Sequence, residues 1–131
     1  MLEMEASMLT QTKTDSSNKI AMGLLSYSAA CQSTQDILDT LQWYDQDDHR
    51  RLYLYRENMT SDYIGLLGIE ETEDELILIR VATLNPSYRD EGYLLKMLDD
   101  LQDLYREQII TSTLATKDFV LEWRQSRVAD G

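Results

Sequence analysis

Apolar residues in the first third of the chain recur at steps of three and four positions, which predicts two amphipathic helices. The first covers residues 19–28, where Asn18 is placed to cap the N-terminus. The second begins near Ser33, which together with Asp36 forms an opening like a capping box. The apolar positions that define the two helices are Ile20, Ala21, Leu24, Leu25 and Tyr27, and then Ile37, Leu38, Leu41 and Tyr44.

From residue 51 the pattern becomes typical of strands. Residues 51–56 and 63–70 are rich in Leu, Ile and Tyr, and the turn-forming residues between them predict a hairpin. Residues 76–84 are almost unbroken in their apolar character, as expected of a central strand that is buried on both faces. Gly65 and Gly68, inside the hairpin, predict a bulge or a close approach by another group.

The remaining elements complete a mixed α/β pattern, in which Pro86 ends the central strand. The strongest helical period follows it, because Leu94, Leu98, Leu101 and Tyr105 are spaced four, three and four residues apart. We also expect a first strand over 9–13, a strand over 108–113, and a last helix over 117–127 whose apolar side carries Phe119, Val120 and Trp123.

Length and cysteine content favour a single soluble domain. The chain has 131 residues, which is enough to bury a core. No run approaches the roughly 18 apolar residues that cross a bilayer, and no signal peptide is visible at the start. Cys31 is the single cysteine, so an internal disulfide is impossible. These features predict a protein of the reducing cytoplasm.

The charge is strongly acidic, with 12 Lys and Arg against 24 Asp and Glu, a net charge of −12. Such a field repels nucleic acid and acidic membranes, so we expect neither as a partner. It favours solubility, and it also attracts a cationic substrate such as an amine. His49 has only the distant Cys31 as a possible soft co-ligand, so we expect no metal site.

The segment from Leu84 to Leu94 joins the central strand to the strongest helix and carries Arg89 and Gly92 in an Arg-x-x-Gly spacing. A helix that opens from such a turn directs its free backbone N–H groups and the positive end of its dipole at whatever lies above the sheet. Both features favour an anion, most often a phosphate. The segment therefore predicts a phosphate-bearing ligand on an α/β scaffold.

Two motifs resemble the GCN5-related N-acetyltransferase family. Residues 64–70 look like its third strand, which often reads apolar-Gly-x-apolar-Gly-apolar. Residues 85–92 look like its pyrophosphate loop, usually Pro-x-x-Arg-x-x-Gly-x-Gly/Ala. Residues 19–26 and Arg80 are further similar to a small acetyltransferase-like protein encoded beside riboflavin-synthesis genes in Gram-positive bacteria.

The resemblance covers residues 9–127, which we expect to form one N-acetyltransferase-like domain between a tag or disordered start, 1–8, and a tail, 128–131. It implies a twisted, mixed, mostly antiparallel sheet flanked by helices. It also implies acetyl-CoA as cosubstrate and direct transfer to an unknown amine in a ternary complex. The oligomeric state stays open, with a homodimer as one alternative.

By resemblance, the central strand and the loop hold the cosubstrate. Backbone groups of Ala82, Thr83 and Leu84 would hold the pantetheine arm. Backbone N–H groups would hold the pyrophosphate, and they belong to Arg89, Asp90, Glu91, Gly92, Tyr93 and Leu94. Leu94 stands where the family has a small residue, and Asp90 and Glu91 place negative charge beside the site.

The family's usual acid and base are missing at the matching positions, so the catalytic residues stay unknown. The place of the glutamate base falls on Leu78, and that of the tyrosine acid on Phe119 or Val120. A base relayed through water from Glu70 or Glu75 is an alternative. These departures leave two other functions open, a non-catalytic module that binds CoA or acyl-CoA and a ligand-free interaction protein.

Arg80 is the unusual residue of the central strand, because a buried arginine needs a partner. It either pairs with a carboxylate such as Glu70 or anchors an anionic acceptor. Three hairpin tyrosines are also open to two interpretations, packing in the sheet or lining an acceptor pocket. They are Tyr53, Tyr55 and Tyr63.

Overall fold

The computed structural model describes residues 8–12, 15–58, 61–89 and 92–130, the side chains of 15–17 and 128–130 excepted. Within these ranges, the strands are β1 (Leu9–Gln11), β2 (Arg50–Arg56), β3 (Tyr63–Glu71), β4 (Leu76–Leu84) and β5 (Ile109–Ser112). They form one sheet in the order β1-β2-β3-β4-β5. The first four strands pair antiparallel, and β5 pairs parallel to β4.

Helices cover both faces of the sheet and confirm the predicted mixed fold class. In the described part of the chain, they are α1 (Asp15–Leu25), α2 (Thr34–Asp45), α3 (Tyr93–Leu104) and α4 (Lys117–Asp130). Buried residues of α1 and α2 pack on one face of β2 and β3, and those of α3 and α4 pack on the other. No helix among the described residues is long and apolar enough to span a membrane.

The face covered by α3 and α4 is the better sealed of the two. Ile77 and Ile79 of β4 are fully buried there, together with Leu98 and Leu101 of α3. On the opposite face Leu78 is only partly buried, and Arg80 is exposed. The expectation of a central strand buried on both faces is therefore wrong for one face, because Leu78 and Arg80 keep contact with solvent there.

The glycine prediction is confirmed at Gly68, where α2 approaches β3. A Cβ atom at Gly68 would lie less than 3.0 Å from Tyr44 Oη and from Val81 Cγ1. Pairing between β3 and β4 shifts register at the same place, because Gly68 pairs with Val81 and the next residue pairs with Ile79. This bulge leaves Arg80 outside the regular pairing and re-aims its side chain.

Some of the predicted helix ends are confirmed and others are wrong. Ser33 caps α2 as predicted, because its Oγ atom accepts a hydrogen bond from the backbone N–H of Asp36 over 3.1 Å. The cap proposed at Asn18 is wrong, since α1 begins at Asp15 and already includes Asn18. The polar first turn of α1 leaves no apolar period to mark it. At the other end, α4 continues to Asp130 and so includes residues 128–130, which were expected to be a tail.

Candidate active site

β4 and β5 separate halfway along β4. Their parallel pairing ends where Ile79 faces Ser112, although β4 continues to Leu84. Two donors from the segment after β5 close the end of the pairing. The N–H of Thr113 donates to the Ile79 carbonyl over 3.3 Å, and Thr116 Oγ1 donates to the same oxygen over 2.6 Å. Beyond this point the two strands leave a gap.

The gap is a cavity of about 470 Å³, which we call the cleft. Its wall includes Ala82, Thr83 and Leu84, whose edge away from β3 has no strand partner among the described residues. Arg89 and Leu94 line its end. Five of the sequence-predicted cofactor residues thus border one cavity. The other lining residues are Tyr27, Ser28, Ala29, Ala30, Arg80, Val81, Ala115 and Thr116.

The N-terminus of α3 borders the cleft, because Leu94 belongs to its first turn. Gly92 is the N-cap residue, with φ 75°, in the left-handed region that favours glycine. A Cβ atom there would meet open space, so this backbone angle is the reason for glycine in the described structure. Leu94 lines the cleft without filling it.

In two of the predicted loop residues, one polar group already has a hydrogen-bond partner within the chain. The N–H of Arg89 donates to the Pro86 carbonyl over 3.4 Å, inside a 3-10 turn from Pro86 to Tyr88. Tyr93 is 5% exposed, and its hydroxyl donates to Glu57 Oε2 over 2.7 Å, so its ring belongs to the core. Asp90 and Glu91 lie outside the described residues.

The charged residues in the described lining of the cleft are arginines, although the chain as a whole is acidic. Among its described lining residues, Arg80 and Arg89 carry charge, and there is no Asp, Glu or His. Arg80 is paired with Glu70 over 2.7 Å, whereas Arg89 forms no ion pair with any residue that the structure describes. The Arg89 guanidinium group, in the same lining as the N-terminus of α3, favours an anionic ligand.

A second cavity of about 290 Å³, the side cavity, lies between α1, α2 and β4. It shares Arg80, Val81, Ser28 and Ala30 with the cleft, so the two cavities meet at the β4 bulge. The remaining residues of its wall are Leu25, Cys31, Asp39, Thr40, Trp43 and Tyr44.

Arg80 stands at this junction and is held by Glu70. Its Nε atom donates to Glu70 Oε1 over 2.7 Å. Glu70 Oε2 also lies 3.9 Å from Arg50 Nε, and the Arg50 and Arg80 guanidinium groups lie 3.9 Å and 4.8 Å from the ring centroid of Trp43. The predicted pair of Arg80 with Glu70 is confirmed, and it leaves Arg80 at the edge of both cavities.

Comparison with known proteins decides the family. No protein-family model matches the chain. A protein of Bacillus methanolicus, described as an uncharacterized N-acetyltransferase in the lysA 3' region, is 30% identical over 102 residues, which are 78% of this chain and 83% of that protein. The chain belongs to the GCN5-related N-acetyltransferase family. The link to riboflavin-synthesis genes stays a prediction.

Solved N-acetyltransferase structures have the same fold. The aminoglycoside N-acetyltransferase AAC(6')-Iy, in complex with the bisubstrate analog CoA-S-monomethyl-acetylneamine, has a TM-score of 0.67 at 12% identity and covers 91% of this chain and 86% of its own. A chimera of the Vibrio cholerae spermidine N-acetyltransferase has a TM-score of 0.60 at 13% identity, with coverages of 92% and 79%.

This N-acetyltransferase fold has no acid or base at the places that the resemblance names. Leu78 does not line the described cleft, Phe119 packs against the core, and Val120 is 1% exposed. Glu70 is engaged by Arg80, and the exposed Glu75 lies in the turn before β4. The structure therefore brings none of the sequence-based catalytic candidates into the cleft.

The hairpin tyrosines pack rather than line a pocket. Tyr53 and Tyr55 are buried on the α3 side of the sheet, and the Tyr53 hydroxyl lies 2.7 Å from that of Tyr105. Burial, and next the hydrogen bond to Tyr105, raises the pKa of Tyr53. Tyr63 lies under the Arg56 guanidinium, 5.0 Å from its ring centroid. None of the three hairpin tyrosines lines the two described cavities.

No sequence pattern indicated the side cavity. Asp39 and Thr40 lie on the polar side of α2, and the 28–30 segment follows α1 without a recognisable motif. Tyr44 was assigned only to the apolar stripe of α2. It is 7% exposed, and burial raises the pKa of its hydroxyl, which therefore stays protonated. Only the long-range packing of α2 on the β4 bulge assembles these residues.

Proposed function

We propose that this chain is an N-acetyltransferase that transfers the acetyl group of acetyl-CoA directly to an amine. One observation carries the proposal. The cleft opens where β4 and β5 part, the N-terminus of α3 borders it, and Arg89 adds positive charge to its lining. A long anionic thioester with a diphosphate fits such a cleft.

In this proposal, the pantetheine arm lies along the unpaired edge of β4, held by backbone groups of Ala82, Thr83 and Leu84. The diphosphate lies at the start of α3, where the proposed binding residues are Arg89, Asp90, Glu91, Gly92, Tyr93 and Leu94. The complex of AAC(6')-Iy with a CoA-linked bisubstrate analog supports an equivalent use of the shared fold. The Arg89 guanidinium adds charge where the phosphates would lie.

The reaction needs an amine in its neutral form beside the thioester. Its nitrogen attacks the carbonyl carbon, the C–N bond forms, the C–S bond breaks, the amine loses a proton and the CoA thiolate gains one. The side cavity supports this step, because it joins the cleft at Arg80 and Val81. Holding both substrates across this junction supplies proximity, which is the main catalytic contribution of the site.

We propose that Arg80 binds the acceptor substrate. Its charge at the junction disfavours an ammonium ion there and so lowers the pKa of a bound amine. Its guanidinium also offers a fork of donors to an anionic group of the acceptor. Since the described lining of the cleft has no carboxylate or imidazole, electrostatic deprotonation takes the place of a neighbouring base.

The absence of a carboxylate or imidazole from the described lining of the cleft also favours a second candidate function, a module that binds CoA or acyl-CoA without catalysis. Release of CoA thiol from acetyl-CoA, measured across a panel of amines, separates the two. The N-acetyltransferase proposal predicts thiol release that depends on both the amine and the enzyme, with an acetylated product of matching mass. Saturable CoA binding with no thiol release for any amine would support the non-catalytic module instead, and no binding would leave a ligand-free interaction protein.

A further inference from the structure

The side cavity carries opposite charges on two walls. Arg80 lies at the junction with the cleft, and Asp39 lies on α2. The Asp39 carboxylate accepts a hydrogen bond from Gln35 Nε2 over 2.8 Å and forms no ion pair with any residue that the structure describes. Asp39 is exposed, so its negative charge remains available to a cationic group in the side cavity.

On the β4 side of the cavity, positive charge exceeds negative charge. Glu70 is one carboxylate between two guanidinium groups, those of Arg80 at 2.7 Å and Arg50 at 3.9 Å. Arg80 uses its Nε atom for this pair, and its two terminal nitrogens donate no hydrogen bond to any described residue. A planar fork with spare donors is the group that binds a carboxylate with two parallel hydrogen bonds.

Between the two charges the wall is largely apolar. Leu25, Val81 and the Trp43 ring contribute to this part, and the whole cavity has a volume of about 290 Å³. This size is at the small end for ligand sites and suits a molecule the size of an amino acid. A short aliphatic chain that links an anionic end to a cationic end matches these three kinds of group in the lining.

We propose that the acceptor is a basic α-amino acid, a class that deepens the proposed function and rests on it. Its carboxylate binds the Arg80 fork, its aliphatic chain lies on Val81 and Trp43, and its side-chain ammonium faces Asp39. Because Arg80 lies at the junction, the α-amine is the nitrogen nearest the thioester. It forms the amide and loses its proton, and CoA leaves as the thiol.

Three acceptors test this arrangement, each at saturating acetyl-CoA. Lysine carries all the required groups, norleucine lacks the side-chain amine, and cadaverine lacks the carboxylate. We expect kcat/KM for lysine to exceed that for norleucine by about fivefold, since an exposed ion pair contributes modestly. We expect it to exceed that for cadaverine by at least about tenfold, since a charged fork contributes more. Mass spectrometry should identify Nα-acetyl-lysine as the product.

Variants show whether the two named side chains cause these preferences. Asp39→Asn should reduce the lysine-to-norleucine ratio to about one, and Arg80→Lys should reduce the lysine-to-cadaverine ratio about tenfold. Asp45→Asn is the matched control on α2, because it removes the same charge from an exposed residue that does not line the side cavity. It should leave both ratios unchanged.

The outcomes separate this inference from the proposed function. Thiol release with simple amines but equal kcat/KM for the three acceptors overturns the inference alone. An Nε-acetyl product, or an equal change in the ratios for Asp39→Asn and Asp45→Asn, also overturns it alone. Failure to bind CoA overturns both. The lysine preference, its loss in Asp39→Asn and the Nα product together support it.

Discussion

Arg80 and Glu70 lie on the same face of the sheet, on adjacent strands, and the Arg80 Nε atom donates to Glu70 Oε1 over 2.7 Å. Arg80 lies at the β4 bulge, outside the regular pairing, and its guanidinium group also lies 4.8 Å from the ring centroid of Trp43 on α2. The pair fixes the guanidinium group at the junction of the cleft and the side cavity. In our account, Glu70 is therefore a positioning residue for Arg80 rather than the base.

Glu70→Gln tests this assignment. The amide keeps an acceptor for Arg80 but loses the charge, and both side chains are partly exposed, so we expect the free energy of unfolding to fall by about 1 kcal/mol or less. We expect KM for the acceptor to rise while the pH profile of kcat keeps its shape. Stopped thiol-release assays from pH 6 to 9 measure both. Loss of the low-pH limb of the profile would instead identify Glu70 as the base.

Gly68→Ala should destabilise the fold strongly. The added methyl group would lie less than 3.0 Å from Tyr44 Oη and Val81 Cγ1, so α2 or β4 must move. Overpacking of this kind costs about 1–3 kcal/mol, measured by urea unfolding. Combining it with Tyr44→Phe, which removes the nearest atom, should recover part of the loss.

Gly23→Ala is the control for that substitution. Gly23 lies inside α1, and a Cβ atom there meets nothing within 4 Å. Alanine should therefore raise the free energy of unfolding by about 0.5–1 kcal/mol through its better helix propensity. Equal destabilisation by the two alanines would show that contact between α2 and Gly68 is not what makes glycine necessary.

Asp100 makes stability depend on pH. Burial, and then the charges of Asp103 and Asp99, raises its pKa above the ordinary 3.8. The folded state thus binds this proton more tightly than the unfolded state, so the contribution to stability is full below about pH 3.8 and is lost as the pH rises through the folded pKa.

Asp100→Asn should accordingly stabilise the protein at neutral pH, with a gain that shrinks toward pH 3. Thermal unfolding from pH 3 to 8 measures this difference. Glu122→Gln, an exposed charge removal on α4, should change stability less and without the same pH dependence. A gain for Asp100→Asn that grows as the pH falls would have the wrong sign for a raised pKa.

Thr116 ties the start of α4 to the point where β4 and β5 part. Its Oγ1 atom donates to the Ile79 carbonyl over 2.6 Å, and the residue is 8% exposed. Thr116→Val leaves this carbonyl with one donor fewer and should cost about 1–3 kcal/mol in chemical unfolding. Thr116→Ser keeps the hydroxyl and should cost clearly less. Equal losses would assign the effect to packing of the methyl group.

The sequence predicted the elements better than it predicted the site. Apolar periods placed α3 and β4 to within a residue, because each element buries a strong regular pattern. The start of α1 was missed, since its polar first turn has no such pattern. The functional residues were likewise predictable only where their signal is local in the sequence. The loop before α3 was recognisable from adjacent residues. Asp39 and Arg80, in contrast, line one cavity only through tertiary packing of α2, which local sequence does not encode.

The most direct test of the account is whether CoA stabilises the folded chain through the cleft. CoA at 100 times its dissociation constant should add about 2.7 kcal/mol to the free energy of unfolding. Ala115→Trp, which fills the cleft from an exposed position, should abolish this gain. Leu114→Trp, at a neighbouring residue that is 89% exposed and does not line the cleft, should keep it. No gain for the unsubstituted chain at millimolar CoA, or an equal gain for both tryptophan variants, would contradict the account.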